Sequence, residues 1–265
     1  LPPTVAPLLR EEKTREELPF LDDAFLQTSF FETLFRALPN GSRAQLCEQY
    51  RMTPVIGDLV ADLFYTEDGQ RTLINGERKP APDQPPPLLD EPLCWINVPG
   101  QQERGGAGKS LSNSAEANAI ANFLSRLSAP AAKLGGKDVA VITPYRAQVR
   151  CITTALQQLP GSKGDNRDMT LGGLKIKVDT VDSFQGSEAN LVCYSTVRTK
   201  GSLQFVLDEK RLNVACSRAQ ENLIFFGHTQ YLHRHQQQNQ RNLFAEIIPR
   251  ATKGNATKMK SATTC

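Results

Sequence analysis

Short runs of apolar residues alternate with amphipathic stretches along most of the chain. Five of the apolar runs have the length and composition of buried strands: "LCWINV" (93–98), "DVAVIT" (138–143), "IKVDTV" (176–181), "LVCYSTV" (191–197) and "NLIFFG" (222–227). Strands that are apolar on both faces, with amphipathic helices between them, are typical of a parallel sheet. The pattern therefore predicts an α/β fold with a mostly parallel sheet and helices on both of its faces.

Helical periodicity and capping signals predict where the helices lie. The predicted helices are 29–38, with Ser29 and Glu32 at capping-box spacing, then 55–64, 114–127, 145–159 and 208–219. Asn113 and Glu116 form a second capping box ahead of the 114–127 helix. Its apolar residues, Ala117, Ile120, Ala121, Leu124 and Leu127, follow the helical period.

Composition and charge narrow the class of protein. Hydrophobic residues make up 39% of the chain and charged residues 22%, as in a globular protein, and the net charge of +3 permits nucleic-acid binding without requiring it. The six cysteines form no C-x-x-C pair, which favours buried free thiols over zinc ligands or disulfides. Without a signal peptide or a membrane-length apolar run, we expect an intracellular, reducing compartment, cytoplasmic or nuclear, and no membrane partner.

The segment "GGAGKS" (105–110) imitates a phosphate-binding loop, G-x-x-x-x-G-K-[ST], which lies directly between a strand and a helix. Glu103 stands at the first glycine position, where its carboxylate would face phosphate. The preceding strand ends near Val98, and the signal for the next helix is Asn113, beyond Lys109. We therefore interpret the segment as a glycine-rich surface loop and not as a nucleotide site.

A second imitation lies in the proline-rich segment at 80–92, which is predicted to be a surface loop. Its "LLDE" resembles the metal-binding acidic motif of ATPases, but only two apolar residues precede Asp90. Prolines on both sides are incompatible with a central strand. We therefore expect no metal ligand here. The polar tail at 251–265 is predicted to be disordered.

Polar residues that suit phosphate chemistry follow or precede the apolar elements in four places. These are "EQYRM" (48–52), "VITPYRAQ" (141–148), "TVDSFQGSE" (180–188) and "KRLNVACSRA" (210–219). Arg51 and Arg218 are candidate phosphate ligands, because a guanidinium stays charged and matches phosphate oxygens. Tyr50 can stack on a base, and Gly186 can let a ligand approach the backbone closely. In a parallel sheet, ligands gather at the carboxyl ends of the strands, so we expect the cleft there.

At these four motifs the chain resembles superfamily 1 helicases of the up-frameshift and senataxin type. "QYRM", with Pro54 and "FY" at 64–65, is similar to the block around the family's first ATP-contacting arginine. "ITPY" with Gln148 is similar to motif IV, "VDSFQGSE" to motif V, and "RLNVACSRA" to motif VI with its arginine finger. The family also carries a serine- and glycine-containing loop before an "N-x-x-E-A" helix, as in "NSAEA" here. The resemblance runs from about residue 1 to residue 250.

The resemblance implies a second RecA-like motor domain, of the P-loop NTPase type but lacking its own phosphate loop. "LPPTV" (1–5) resembles the residues that follow the family's "GDxxQ" motif III. On this basis, residues 1–40 follow motif III and contain a linking helix, and residues 41–250 form the RecA-like domain. An N-terminal RecA-like domain of the same protein would then supply the phosphate loop and the ligands of Mg²⁺, and ATP would bind between the two domains.

The resemblance also implies roles for individual residues around ATP. Arg51 and Arg218 would be catalytic and would reach the γ-phosphate. Tyr50 would stack near the adenine, and Gly186 and Glu188 would border the nucleotide.

Three further residues are implied to contact nucleic acid: Thr143, Gln148 and Ser183, with Thr143 and Ser183 bonding to its backbone. Backbone contacts do not read bases, so we expect sequence-independent binding to single-stranded DNA or RNA. One departure from the family is Gln220, where a second basic residue usually follows the finger. Any phosphate or nucleic-acid contact at that position is therefore in doubt.

Two other classes of function remain open on the sequence. A standalone phosphate-loop NTPase would depend on Lys109. A non-catalytic nucleic-acid-binding module would keep the fold without needing Arg51 or Arg218, both of which are present.

Overall fold

The computed structural model describes residues 30–77, 85–104, 110–165, 167–184, 186–235 and 241–253. It divides into two compact units, Leu1–Cys47 and Glu48–Cys265. In the first unit, helix α1 (Phe30–Ala37) is followed by a 3₁₀ turn (Asn40–Ser42). The expected cap of α1, Ser29, lies outside the described residues.

The second unit contains an α/β arrangement of strands and helices. Its strands are β1 (Glu48–Gln49), β2 (Thr66–Glu67), β3 (Gln70–Arg71), β4 (Ile74–Asn75), β5 (Leu93–Asn97), β6 (Glu103–Arg104), β7 (Leu111–Ser112), β8 (Lys137–Thr143), β9 (Ser162–Asp165), β10 (Asp168–Leu171), β11 (Leu174–Thr180), β12 (Ala189–Ser195) and β13 (Ala219–Gly227). Its helices are α2 (Pro54–Phe64), α3 (Ser114–Lys133), α4 (Arg146–Gln157), α5 (Glu209–Cys216), α6 (Thr229–Arg234) and α7 (Leu243–Thr252), with a 3₁₀ turn at Val181–Phe184.

The central sheet has seven strands in the order β5-β13-β12-β8-β11-β10-β9. The first five are parallel to one another, and β10 and β9 extend the sheet as antiparallel strands beyond β11. The five predicted apolar runs coincide with the five parallel strands. The predicted α/β fold of RecA-like type, mostly parallel with covered faces, is therefore confirmed.

Helices cover both faces of the sheet because alternate strand residues point to opposite sides. On one face, α3 and α4 bury residues such as Val139 and Val141 of β8. On the other face, α2, α5 and α7 contact β5, β12 and β13, and Trp95 stacks on Phe225 with 5.6 Å between ring centroids. The apolar stripe predicted for α3 is buried along its length, from Ala117 to Leu127. The central strands β8, β12 and β13 are thus buried on both sides over most of their length, whereas β11 exposes Lys175 and Lys177 on one side.

The antiparallel strands β9 and β10 carry polar residues on an open face. In β10, Asp168 and Thr170 are exposed while Met169 and Leu171 are buried. The strands are only four residues long and one contains Gly164, whose φ is +104°. Such short, alternating and glycine-containing strands produce a weak signal in the sequence, and none was predicted here.

Three two-stranded ribbons lie outside the central sheet: β1 with β4, β2 with β3, and β6 with β7. The antiparallel pair β6–β7 flanks residues 105–109, which include Lys109 and lie outside the described residues. Helix α3 begins at Ser114, capped by Asn113, whose side chain accepts a hydrogen bond from the Glu116 amide at 3.2 Å. The helix thus begins four residues after Ser110. A phosphate loop would require the helix to begin at that serine.

Residues 85–92 are irregular, and the Leu89 and Glu91 carbonyls accept hydrogen bonds from the Asn222 side-chain amide at 3.0 and 3.1 Å. Helix α7 continues to Thr252, within the stretch that was predicted as a polar tail. The remainder of that tail, from 254, lies outside the described residues. None of the described helices is both long and apolar enough to cross a membrane.

The cysteines of the described residues are all free thiols. Cys193 and Cys216 are buried as expected, whereas Cys94 is only partly buried. Burial raises the pKa of the Cys216 thiol to about 12 and that of Cys94 to about 11. These cysteines therefore remain protonated at neutral pH.

Candidate functional site

Arg51 lies in a turn that is stabilised by the side chain of Gln49. The Gln49 amide oxygen accepts hydrogen bonds from the backbone amides of Arg51 and Met52, at 3.0 and 2.8 Å. The Arg51 Nε donates to Glu188 at 2.8 Å, and a terminal nitrogen donates to the Ser217 carbonyl at 3.1 Å. The side chain of Arg51 retains 35% of its solvent exposure, so a ligand can reach it.

Arg218 follows helix α5 and lies outside it. The sequence predicted a helix through 219, but α5 ends at Cys216 with Ser217 as its cap. Strand β13 begins at Ala219, directly after Arg218. The helix ends early because Ala219 already pairs with Ala189 in the sheet. The helix therefore ends three residues earlier than predicted, and Arg218 lies in the turn that follows it, where its amide donates to the Ala215 carbonyl at 3.4 Å.

Backbone and hydroxyl oxygens hold the Arg218 guanidinium in place. Its Nε donates to the Val214 carbonyl at 3.0 Å, and its terminal nitrogens donate to the Ser187 carbonyl at 2.9 Å and to the Ser217 hydroxyl at 3.0 Å. Arg51 and Arg218 thus both contact Ser217. The two arginines, which are far apart in sequence, converge on one short segment.

The loop at 186–188 brings Glu188 to the same place. Gly186 has a φ of +84°, in the left-handed region that glycine adopts without steric cost. Glu188 is the last residue before β12, and its carboxylate forms an ion pair with Arg51. Gly186 is exposed, so the backbone at this loop is open to a ligand.

The charged groups of this cluster influence one another. Burial and the neighbouring charge of Arg51 lower the pKa of the Arg218 guanidinium, while Glu188 opposes the shift. A lowered pKa means that the positive charge of Arg218 is held at a free-energy cost. An anion placed between the two guanidinium groups would relieve that cost. The cluster of Arg51, Glu188 and Arg218, which we call the arginine cluster, is chemically suited to a phosphate.

The arginine cluster lies at the amino ends of the parallel strands. Glu188 precedes β12 and Arg218 precedes β13, whereas the sequence predicted a cleft at the carboxyl ends. The expectation is wrong for these residues because Glu188 and Arg218 lie directly before a strand begins, and not directly after a strand ends. Tyr50 is adjacent to Arg51 and is 56% exposed.

The other predicted residues lie at the opposite edge of the sheet. Thr143 ends β8, and Ser183 lies in the 3₁₀ turn that follows β11. Ser183 is exposed, as a nucleic-acid contact requires. Thr143 and Gln148 are fully buried, so neither can contact nucleic acid directly in this structure. Thr143 and Gln148 thus lie at the end of the strands opposite to the arginine cluster. Ser183 is only four residues from Ser187, whose carbonyl accepts a hydrogen bond from Arg218.

Gln148 belongs to an internal network. Its amide oxygen accepts from the Asn113 backbone at 2.7 Å, and its amide nitrogen donates to the Asn113 carbonyl at 3.1 Å and the Ser195 hydroxyl at 3.0 Å. Ser195 in turn donates to Glu116 at 2.7 Å. The network joins α3, α4 and β12. The role of Gln148 in this structure is to hold those elements together.

Glu116 was expected only as a capping residue, yet it is fully buried. Its carboxylate accepts from the Val197 backbone amide at 2.9 Å as well as from Ser195. Burial raises its pKa to about 7, and the hydrogen bonds act in the opposite direction. Val197 has a φ of +69°, a strained conformation for a β-branched residue. The sequence contains Glu116 in "NSAEA", but its burial depends on contacts with the distant β12.

Among the residues that the structure describes, no group of three or more His, Cys, Asp or Glu side chains could hold a metal ion. The arginine cluster and Tyr50 are chemically suited to a nucleotide. They provide cations for phosphate and an exposed ring for a base.

The fold is that of a RecA-like domain of the P-loop NTPase type. Over residues 26–230 the chain matches the AAA_12 family, described as "AAA domain". It is 30% identical over 217 residues to a regulator of nonsense transcripts 1 homolog of Neurospora crassa, covering 80% of this chain and 19% of that protein. It is 30% identical over 217 residues to the ATP-dependent helicase NAM7 of Saccharomyces cerevisiae, covering 80% and 21%.

A third relative is the putative helicase mov-10-B.1 of Danio rerio, 28% identical over 246 residues, covering 85% of this chain and 24% of the relative. The chain therefore belongs to the AAA domain family and is a superfamily 1 helicase domain of the up-frameshift type, as the sequence motifs indicated. It spans about a fifth of the length of these curated relatives.

Proposed function

We propose that this chain is the second motor domain of an ATP-dependent helicase and that it completes an ATP site shared with another RecA-like domain of the same protein. The observation that carries the proposal is the convergence of Arg51 and Arg218 on Ser217, beside the ion pair that Arg51 forms with Glu188. The relatives named as ATP-dependent helicases support the same reading.

The two arginines would act on the phosphates of ATP. Charge accumulates on the transferring phosphoryl group, and fixed guanidinium groups stabilise that charge without reorganising. Arg51 is oriented by Glu188, and Arg218 is oriented by the carbonyls of Val214 and Ser187. Both side chains are therefore positioned before a nucleotide binds. ATP with Mg²⁺ would supply the reacting phosphate, and we assign no Mg²⁺ ligand to the described residues.

The alternative based on Lys109 has little structural support. The Ser110 hydroxyl, which a phosphate loop would direct at Mg²⁺, accepts a hydrogen bond from the Ala147 amide at 2.9 Å. Ser110 is separated from α3 by strand β7. A strand-loop-helix cradle for phosphate is therefore not formed by the described residues around Lys109.

On its own, this chain should bind nucleotide weakly and should not hydrolyse ATP, because its described residues supply arginines but no phosphate-loop cradle. Phosphate release is measured with the isolated chain, ATP, Mg²⁺ and single-stranded nucleic acid. Turnover above ~1 per second, an ordinary enzymatic rate, would overturn the shared-site proposal. Loss of that turnover in Lys109→Ala would then identify the standalone NTPase.

We further propose that a single strand of DNA or RNA contacts the carboxyl edge of the sheet, where Ser183 is exposed. Binding by the isolated chain should be weak, sensitive to salt and indifferent to base sequence, because the net charge is only +3 and backbone contacts do not read bases. Labelled strands of several sequences are titrated at two salt concentrations. Strong preference for one sequence that persists at high salt would refute this part of the proposal.

A non-catalytic nucleic-acid-binding module would also use that edge. It would have no use for two half-buried arginines whose charges repel each other. Cations that lie close together and carry a perturbed pKa are typical of sites that bind an anion. We therefore favour the catalytic proposal.

A further inference from the structure

The ring of Tyr50 lies directly over Gly76. Strands β1 and β4 pair in parallel, with Glu48 opposite Ile74 and Gln49 opposite Asn75, so Tyr50 and Gly76 are the next positions in register. The Gly76 amide donates to the Gln49 carbonyl at 2.9 Å and continues the pairing. A Cβ atom added to Gly76 would lie 2.2 Å from the Tyr50 Cε1 and 2.4 Å from its Cζ. The absence of a side chain at Gly76 thus creates the space that the ring fills.

The hydroxyl of Tyr50 is held as well. It donates a hydrogen bond to the Glu48 carboxylate, two residues earlier on the same face of β1. This bond raises the pKa of Tyr50, so the hydroxyl stays protonated and remains a donor. The ring is therefore fixed at its edge by Glu48 and supported on one side by Gly76. The side chain still keeps 56% of its exposure.

A ring held in this way can stack on a planar group through its free face. Its position is one residue from Arg51, whose guanidinium belongs to the arginine cluster. A nucleoside triphosphate presents a planar base at one end and phosphates at the other. Tyr50 is suited to stack on a base and Arg51 is suited to bind phosphate. One nucleotide can therefore contact both residues.

We propose that Glu48 and Gly76 are positioning residues that hold the Tyr50 ring as a platform for the base of the bound nucleotide. The proposal rests on the proposed function, since it assumes that nucleotide binds at the arginine cluster. A fixed ring loses little conformational freedom when a base stacks on it. Glu48 and Gly76 would thereby increase nucleotide affinity without touching the nucleotide.

The Gly76→Ala variant tests this directly in the full-length protein. The φ of Gly76 is not in the left-handed region, so alanine fits the backbone, and the three atoms nearest to the added Cβ all belong to the exposed Tyr50 ring. Stacking of a base on an aromatic side chain changes affinity by roughly tenfold. We expect the KM for ATP to rise by about that factor with kcat unchanged, the pattern of lost ground-state binding. Gly41→Ala is the matched control, because a Cβ there meets nothing within 4 Å.

A ligand without a base separates this proposal from the proposed function. Inorganic tripolyphosphate should inhibit the Gly76→Ala variant as well as it inhibits the wild type, whereas Arg51→Ala should weaken inhibition by tripolyphosphate. If Gly76→Ala leaves the KM for ATP unchanged while Arg51→Ala weakens the binding of both ATP and tripolyphosphate, the platform is refuted and the ATP site stands. If Arg51→Ala and Arg218→Ala affect neither ligand nor rate, the ATP site itself is refuted.

The Glu48 bond is tested by a double-mutant cycle with Tyr50→Phe, which keeps the ring and removes the hydroxyl. Glu48→Ala and Tyr50→Phe should each raise the KM for ATP, and the double variant should be no worse than either single variant. If the bond is purely structural, its loss should lower the melting temperature and weaken the binding of ATP and of tripolyphosphate equally. Fully additive effects on the KM would contradict the proposal.

Discussion

Arg218→Ala should abolish most of the nucleic-acid-stimulated ATP hydrolysis of the full-length protein while leaving its affinity for ATP within about tenfold of the wild type. An arginine that acts on the developing charge contributes mainly to the rate. Losses of roughly 10³ or more are typical when such a residue is removed from a phosphoryl-transfer enzyme. Steady-state kinetics give the rate, and equilibrium titration with a nucleotide gives the affinity.

The structure adds a reason why lysine should replace Arg218 poorly. Three nitrogens of the guanidinium donate to separate oxygens, those of Val214, Ser187 and Ser217. An ammonium group can keep the charge but cannot reproduce that planar set of donors. Arg218→Lys should therefore recover only part of the lost rate. Recovery to the wild-type rate would mean that charge alone is sufficient.

A structural role for Arg218 would give a different result. Loss of its three hydrogen bonds would then lower the melting temperature and the nucleotide affinity together. Arg126→Ala is a matched control, since Arg126 is exposed on α3 and distant in sequence from the four motifs. A stable Arg218→Ala variant that still hydrolyses ATP at a wild-type rate would remove Arg218 from the mechanism.

Lys137→Ala should destabilise the fold by about 3–5 kcal/mol, the usual cost of leaving one partner of a buried ion pair without the other. The Lys137 ammonium contacts both carboxylate oxygens of Glu221 at 2.8 Å, and the two side chains are only 2% and 7% exposed. Asn190 also donates to Glu221 at 3.1 Å. Removing the lysine would leave a buried carboxylate with one remaining donor from Asn190.

Thermal unfolding measures this effect as a fall in melting temperature on the order of 10 °C for a domain of this size. The double variant Lys137→Met with Glu221→Leu should recover much of the loss, because apolar residues of similar volume can replace a buried ion pair. A single variant that melts within about 2 °C of the wild type would show that water or a neighbouring group compensates, since about 1 kcal/mol corresponds to such a shift.

The parallel core was predictable because its central strands, β8, β12 and β13, are apolar on both faces over most of their length. For example, "DVAVIT" corresponds to β8 and "NLIFFG" corresponds to β13. In the structure β8 begins earlier, at Lys137, and β13 begins earlier, at Ala219. Extension at that end could not be read from polarity, since Lys137 and Glu221 are charged and yet buried through their mutual pairing. The signal for a strand is lost when a buried charge replaces an apolar side chain.

The motifs indicated a set of candidate residues but not the geometry that they adopt. Arg51, Glu188 and Arg218 were found through their motifs, and the structure brings them together. A residue between two parallel strands can lie near the carboxyl end of the first strand or near the amino end of the second. The sequence does not show which, so the edge of the sheet at which these residues lie could not be predicted. Likewise, the burial of Gln148 follows from a hydrogen bond to Ser195, 47 residues away, which local sequence cannot reveal.

The most direct test of the shared ATP site compares Lys109→Ala with Arg218→Ala in one assay of nucleic-acid-stimulated phosphate release by the full-length protein. If this chain supplies arginines to a site completed by another domain, Lys109→Ala should hydrolyse ATP at the wild-type rate and Arg218→Ala should lose nearly all activity. If Lys109→Ala abolishes hydrolysis and Arg218→Ala leaves it intact, the phosphate-binding loop lies in this chain and the shared site is contradicted.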